Sequence, residues 1–96
     1  MARTTANEPD KKIIGQRLRL TRESMRLTQV EFARRAGIAP NTYNQFETGM
    51  RLVPPGRAIA ICDAYSLTLD WIYRGRMDDL PTRLSKAIEA LREMER

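Results

Sequence analysis

The sequence predicts an all-α fold: a compact domain of five helices, followed by an additional C-terminal helix. Apolar residues recur at helical spacing along almost the whole chain, and no segment shows the strict alternation expected of a half-buried strand. Glycine or proline stands at several expected helix boundaries, where these residues end or start helices. With 96 residues, the chain is long enough for one small domain and not for two.

Capping residues and helix breakers set the expected bounds of these helices. Asp10 can cap the first helix, and Thr28 with Glu31 three residues later forms a capping box before the second. Gly37 and Gly49 end the second and third helices, because glycine adopts the left-handed conformation at low energetic cost. The expected helices span 11–25, 29–36, 40–48, 55–65 and 69–74, with a last one that starts at 79 or 82 and reaches the C-terminus.

We expect three segments along the chain. Residues 1–10 are polar and are predicted to form a flexible N-terminal arm. Residues 11–75 form the main domain, and residues 76–96 form a helical extension. The extension has an apolar stripe at helical spacing, which either folds back onto the domain or packs on a second copy of the chain. The stripe consists of Leu80, Leu84, Ala87 or Ile88, Leu91 and Met94.

Charge is spread unevenly over the chain, whose net charge is +5. Residues 1–57 hold 11 Lys and Arg against 5 Asp and Glu, whereas residues 58–96 hold 6 against 7. A basic half beside a nearly neutral half suggests that one face is directed at a polyanion. The alternative is that these charges only keep a helical surface hydrated.

Composition argues against several classes of protein. There is no histidine, and Cys62 is the only cysteine, so we expect no His/Cys metal site and no disulfide within the chain. We find no nucleophile–base pair and no glycine-rich phosphate loop, and we therefore expect neither an enzyme nor a bound cofactor. A lone thiol, with no apolar leader and no spanning segment, is typical of a cytoplasmic protein without a membrane partner.

The segment APNTYNQFETG, residues 39–49, has two chemically different faces if it is helical. Helical spacing places Asn41, Asn44, Gln45 and Thr48 on one side. It places Tyr43, Phe46 and Glu47 on the other side. The first set is rich in side-chain amides and carries no charge, although the chain as a whole is 30% charged.

Side-chain amides both donate and accept hydrogen bonds, which suits the reading of base edges. The major groove of B-DNA admits a helix, and Asn or Gln can form two hydrogen bonds with adenine N6 and N7. We therefore predict that Asn41, Asn44 and Gln45 read bases. The alternative is an ordinary solvated helix face, but such faces are usually rich in Glu and Lys, and this one has neither.

Residues 28–49 resemble the helix-turn-helix of the phage repressor and Cro-like family of DNA-binding domains, the XRE-type or lambda repressor-like family. The likeness extends over about residues 13–75. Tyr43 stands where the family more often has a β-branched residue, and Pro40 stands where a polar residue often begins the reading helix. The positions that match are Gln29, Ala33, Gly37, Ile38 and Phe46, together with an Arg22–Glu47 pair.

The resemblance implies a sequence-specific, double-stranded DNA-binding transcription regulator, most often a repressor, with residues 11–75 as the DNA-binding domain. It also implies a partly buried structural ion pair between Arg22 and Glu47. Repressors of this kind typically bind two half-sites as a two-fold dimer, so we expect a homodimer formed through the fifth and sixth helices. The residues expected to contact phosphates are Gln29, Thr42, Thr48 and Arg51.

Two other functions remain open at this point. One is the antitoxin of a toxin–antitoxin pair, with its tail on the toxin, and the other is a protein-interaction adaptor that keeps the fold without reading DNA. The operator, the regulated genes and any small-molecule effector do not follow from the sequence.

Overall fold

The computed structural model describes residues 10–95, which form helices and no strands. The predicted all-α class is therefore confirmed over this range. The arm expected over residues 1–10 lies outside the described residues, apart from Asp10. The helices are α1 (Lys11–Ser24), α2 (Gln29–Arg35), α3 (Pro40–Glu47), α4 (Pro55–Tyr65), α5 (Asp70–Arg74) and α6 (Thr82–Met94).

The predicted caps start the first two helices. Asp10 Oδ1 accepts hydrogen bonds from the backbone N–H groups of Lys12 at 2.9 Å and Ile13 at 3.2 Å. Thr28 Oγ1 accepts from the backbone N–H of Glu31 at 3.1 Å, and Glu31 Oε1 accepts from that of Thr28 at 2.9 Å. These bonds satisfy backbone donors that have no partner inside a helix. Helices α1, α2 and α3 each end one residue before the predicted position.

A tight turn joins α2 to α3. Gly37 makes this turn with a φ of 73°, a conformation that glycine adopts without a steric penalty. Ala33 is fully buried, and its backbone oxygen accepts a hydrogen bond from the backbone N–H of Ile38 at 2.9 Å. The small Ala33 side chain lets the two helices pack closely, and the buried Ile38 fixes the start of α3 against the core.

Aromatic residues form the centre of the core. The Phe32 ring stacks on Tyr65, with centroids 4.2 Å apart and an interplanar angle of 5°, and it lies 5.2 Å from the Tyr43 ring. Trp71 is fully buried, and its indole N–H donates to Thr21 Oγ1 at 2.8 Å, so its one polar atom is satisfied. These contacts join α2 to α3 and α4, and α1 to α5.

The fifth helix differs in type from the prediction. An ordinary helix was expected over residues 69–74, but α5 is a π-helical turn that ends at Gly75. A π turn is wider than an α turn, so successive side chains are separated by a smaller angle. Trp71 and Ile72, which are neighbours in sequence, can therefore both be fully buried. Thr68 still caps this segment, because its Oγ1 accepts from the Trp71 backbone N–H at 3.0 Å.

Helix α6 folds back onto α1. Ile88 is fully buried, and Leu84 and Leu91 pack against the core, whereas Met94 is 81% exposed. Of the two arrangements left open for the apolar stripe, the chain therefore adopts the fold-back. The apolar surface on which a dimer through α5 and α6 was expected is largely used inside the chain.

Helix α1 crosses α3 at Gly15. This glycine is buried in the middle of α1, and a Cβ placed on it would collide with the backbone carbonyl oxygens of Phe46 and Glu47. Only glycine permits this distance between the two helices. The approach sets the position of the C-terminal end of α3 on the domain.

We predict that Gly15→Ala destabilises the domain. Alanine normally stabilises a helix interior by about 0.5–1 kcal/mol relative to glycine. Here the added methyl group must push two backbone carbonyls away, and overpacking of this kind typically costs about 1–3 kcal/mol. Thermal or denaturant unfolding should therefore show a lower free energy of unfolding.

Gly56→Ala is the matched control, because a Cβ on Gly56 meets no atom within 4 Å and this residue also lies in a helix. We expect this variant to be as stable as the parent or more stable by up to about 1 kcal/mol. Equal stability of Gly15→Ala and Gly56→Ala would contradict the close approach of α1 and α3.

Candidate nucleic-acid interface

Helix α3 buries one side and exposes the other. Tyr43 is fully buried and Phe46 is 1% exposed, whereas Asn41 and Asn44 are exposed to solvent. Gln45 is partly exposed. The structure thus brings the three predicted base-reading residues to one surface, which we call the amide face.

Arg51 lies beside Gln45. Its Nη1 donates to Gln45 Oε1 at 3.3 Å, and its guanidinium carbon lies 6.0 Å from the centroid of the Phe46 ring. The backbone carbonyl of Gln45 accepts from the N–H groups of Met50 and Arg51 at 3.0 and 3.1 Å. Because Arg51 engages the side-chain oxygen of Gln45, the amide NH₂ of Gln45 is left to donate outward.

The C-terminal end of α3 carries a buried carboxylate on its inner side, Glu47, whose side chain is only 4% exposed. Arg22 binds it through two bonds: Nε lies 2.6 Å from Oε2, and Nη2 lies 3.1 Å from Oε1. The Tyr43 hydroxyl donates to Oε2 at 2.6 Å, and Gln29 Nε2 donates to Oε1 at 2.9 Å. We call these four residues the Glu47 network. It connects α1, α2 and α3 through a single carboxylate.

The network keeps its ion pair charged. Burial alone would raise the pKa of Glu47, but the hydrogen bonds from Arg22, Tyr43 and Gln29 outweigh it, and this pKa lies below its ordinary value. The Arg22 pKa is raised, chiefly by its hydrogen bonds to Glu47. The Tyr43 pKa is also raised, because its hydroxyl is buried beside the carboxylate. Tyr43 therefore stays protonated and donates its hydrogen bond.

Gln29 has a role that sequence reasoning did not assign. It was expected to contact phosphate, but its side-chain nitrogen donates inward to Glu47. No pattern near Gln29 could have shown this, because the two residues are 18 positions apart and meet only when α2 packs on α3. Gln29 still lies at the start of α2, where backbone N–H groups without a helical partner point outward.

The other expected phosphate contacts lie around α3. Thr42 is partly exposed in its first turn, and Arg51 is exposed just beyond its end. Thr48 is exposed too, but its hydroxyl donates to the Gln45 carbonyl at 3.3 Å, so it faces solvent as an acceptor in this arrangement.

Two lysines that the sequence did not single out lie at the same end of α3. Lys11 Nζ is 3.5 Å from the carbonyl oxygen of Met50, and the Lys12 side chain lies against Gly49. Both lysines are exposed. With Arg51 they place three cations around the loop that follows α3, and we call this set the basic strip. It arises from tertiary packing across 39 residues, so local sequence patterns could not predict it.

Two other kinds of site are absent from residues 10–95. No group of three or more His, Cys, Asp or Glu residues in this range could hold a metal ion. No helix in the same range is both long and apolar enough to span a bilayer.

We predict that Glu47→Ala chiefly removes stability. Loss of one partner leaves Arg22 buried without its counter-charge, which typically costs about 3–5 kcal/mol. The melting temperature should fall, and DNA binding should fall only with the folded fraction. Unchanged melting with lost DNA binding would contradict this. Glu23→Ala is the control, since Glu23 is 37% exposed, pairs with the partly exposed Arg19 and lies 3.5 Å from Arg22, and pairs made by so exposed a carboxylate contribute about 0–1 kcal/mol.

Comparison with known protein families agrees with the geometry of α2 and α3. A family model described as a helix-turn-helix domain matches residues 13–72, which is more than half of the chain. No curated protein and no solved structure matches the chain at a significant level. The matched range begins within α1, includes α2 to α4, the Glu47 network and the amide face, and ends within α5. The chain belongs to the helix-turn-helix domain family, of the XRE-like type.

Proposed function

We propose that this protein is a sequence-specific, double-stranded DNA-binding transcription regulator that acts as a repressor and reads the major groove with α3. The observation that carries the proposal is the amide face. Asn41 and Asn44 are exposed on a short helix whose opposite side is buried and held by the Glu47 network. In DNA-binding helix-turn-helix domains, the second helix of the pair is the one that enters the major groove.

The chemistry of the amide face favours adenine. Asn and Gln can donate to adenine N7 and accept from its N6 amino group, which distinguishes adenine from the other bases. Within residues 10–95, Arg51 is the one arginine bonded to this face, and it binds Gln45 rather than standing alone. We therefore expect adenines, rather than a run of guanines, at the positions that α3 contacts.

Phosphate contacts on this proposal come from both sides of α3. The basic strip (Lys11, Lys12 and Arg51) lies at the C-terminal end of the helix. At the N-terminal end of α3, the proposal places Thr42 and the start of α2, at Gln29, beside the edge of the DNA major groove. Charges of this kind supply affinity and position the domain without reading sequence. The uneven charge of the chain supports the same orientation, because its basic half contains all these residues.

A two-fold homodimer on a palindromic site completes the proposal, since paired half-sites are the usual way in which such domains gain specificity. Because most of the α6 stripe packs internally, the dimer must use other surface. Leu69 and Met94 are the large apolar residues of the α5–α6 region that remain exposed within residues 10–95. Sedimentation that shows a monomer at micromolar concentration, with and without DNA, would contradict the dimer. We accordingly propose that the protein is a cytoplasmic regulator and not an enzyme.

We predict that Asn44→Ala weakens binding to a duplex selected by the parent protein from a random pool. Loss of a two-bond contact to a base costs about 1–3 kcal/mol, which is roughly a 5- to 150-fold loss of affinity. Binding to random-sequence duplex and the melting temperature should stay unchanged, because Asn44 is exposed and its side chain bonds to no other residue within 10–95.

Gln16→Ala is the control for this prediction, because it removes an exposed amide from α1 instead of α3. An adaptor that kept the fold without reading DNA would tolerate Asn41→Ala, Asn44→Ala and Gln45→Ala alike. Such tolerance would overturn the proposal.

The basic strip makes a different prediction. Lys11→Gln, Lys12→Gln and Arg51→Gln should each weaken binding to every duplex by a similar factor. Each should also reduce the slope of log affinity against log salt concentration by about one. Lys86→Gln, an exposed lysine on α6, should leave the slope unchanged. A fluorescence-anisotropy titration over a range of salt concentrations measures both effects, and equal slopes for all four variants would contradict the assignment.

A further inference from the structure

A second basic site lies between α1 and α6. A groove of about 380 Å³ is formed there by Ile13, Gln16, Arg17, Leu20 and Arg92, with the Arg19–Glu95 pair at its edge. A volume of this size lies at the lower end of the range that holds small molecules. We call it the arginine groove.

The arginine groove lies on a different side of α1 from α3. Gly15 and Arg22 are seven residues apart on α1, and both contact residues of α3. Arg17 and Leu20 follow at helical positions that point away from that side, toward α6. A ligand in the groove therefore does not compete for the amide face or the basic strip.

One of the three arginines in the groove is already neutralised. Arg19 Nη1 and Nη2 each lie 2.9 Å from a different oxygen of Glu95, and Nη1 also lies 2.8 Å from Glu23. Both oxygens of Glu95 are used by this two-bond contact. Arg19 thus closes the edge of the groove, and the charge of Glu95 is offset by it.

The other two arginines have no carboxylate partner in the part of the chain that the structure describes. Arg17 Nη1 donates to the backbone carbonyl of Ile72 at 3.1 Å, which leaves its remaining N–H donors without a carboxylate to bind. The guanidinium carbon of Arg92 lies 5.7 Å from the centroid of the Trp71 ring. The Arg17 guanidinium is thus bonded to a neutral carbonyl, and that of the exposed Arg92 lies over a neutral aromatic ring.

The two guanidinium groups also repel each other. The pKa of Arg17 lies below its ordinary value, first because of burial and then because of the positive charge of Arg92, although Asp10 acts in the opposite direction. Two cations near each other raise the energy of the unliganded domain, and no carboxylate bonds either of them within residues 10–95. An anion bound between them would relieve this repulsion and gain charge-assisted hydrogen bonds from both.

We propose that the arginine groove binds a small molecule carrying a phosphate or carboxylate group. Arg17 and Arg92 bind this anionic group, and Ile13 and Leu20 contact the apolar part of the ligand. Such a ligand joins α1 to α6 and stabilises their packing. This site is separate from the DNA-binding function proposed above and does not depend on it.

Inorganic pyrophosphate is a suitable probe, titrated at constant ionic strength and followed by two-dimensional amide NMR. We expect saturable shifts at residues of the arginine groove and a higher melting temperature. Arg92→Gln should weaken binding at least tenfold, since a hydrogen bond to a charged group contributes about 1.5–3 kcal/mol and about 1.4 kcal/mol corresponds to tenfold. Arg83→Gln, an exposed arginine on the same helix, should change the affinity less than twofold.

Arg92→Lys keeps the charge and loses the planar fork, so its affinity should lie between those of the parent and Arg92→Gln. Circular dichroism checks that each variant is folded. Shifts that do not saturate, or equal weakening by Arg83→Gln and Arg92→Gln, would overturn the proposal. Displacement of pyrophosphate by random-sequence duplex would also overturn it, because it would assign the groove to the phosphates of DNA.

Discussion

The arrangement of α3 depends on one buried carboxylate. Glu47 lies at the end of α3 and accepts hydrogen bonds from side chains of α1, α2 and α3 itself. Helices as short as α2 and α3, with seven and eight residues, are not stable alone in water, so their positions are set by packing. A network with a charged centre fixes the orientation of each helix as well as its distance from the others, because each donor must point at one of the two carboxylate oxygens.

This constraint explains why the two sides of α3 are so different. The inner side of α3 is packed against the domain through Tyr43, Phe46 and Glu47. Gly15 lets the backbone of α1 come close to the last turn of α3. The outer side is left with amides and hydroxyls that have few internal partners. Cations are placed around the helix rather than on it, with Lys11 and Lys12 brought to its C-terminal end by α1. Under the proposed function, attraction to a polyanion and discrimination among its bases therefore fall to different residues.

Much of the fold could be predicted from the sequence, because local chemistry determines it. Asp10, Thr28 and Gly37 act through backbone groups a few residues away, so the helix bounds were predicted within about a residue. The two sides of α3 followed from helical periodicity. The direction in which the α6 stripe would pack did not follow, because an apolar stripe fits its own domain and a second copy equally well. The π-helical turn at Trp71 was also missed, since it results from burying two adjacent large side chains.

Helical periodicity predicted residues of the candidate site only where one helix carried them, whereas the Arg22–Glu47 pair was expected from the family resemblance. Asn41, Asn44 and Gln45 share a face of α3 and could be nominated together. Gln29 was nominated for phosphate, but its side chain serves the Glu47 network, and the bond depends on how α2 packs on α3. Lys11 and Lys12 were not predicted, because they reach the site only where α1 contacts the loop after α3. The arginine groove likewise requires the packing of α6 on α1, which no local pattern indicates.

The central claim is that a buried network holds α3 so that its amides contact adenine. The most direct measurement replaces single adenines by 7-deazaadenine, which lacks the N7 acceptor, in a duplex selected from a random pool by this protein. At certain adenines the replacement should weaken binding by roughly 2- to 10-fold, the value of one lost hydrogen bond. That loss should disappear when the contacting residue among Asn41, Asn44 and Gln45 is alanine. If no adenine is sensitive, or if the loss persists in all three alanine variants, the account is contradicted.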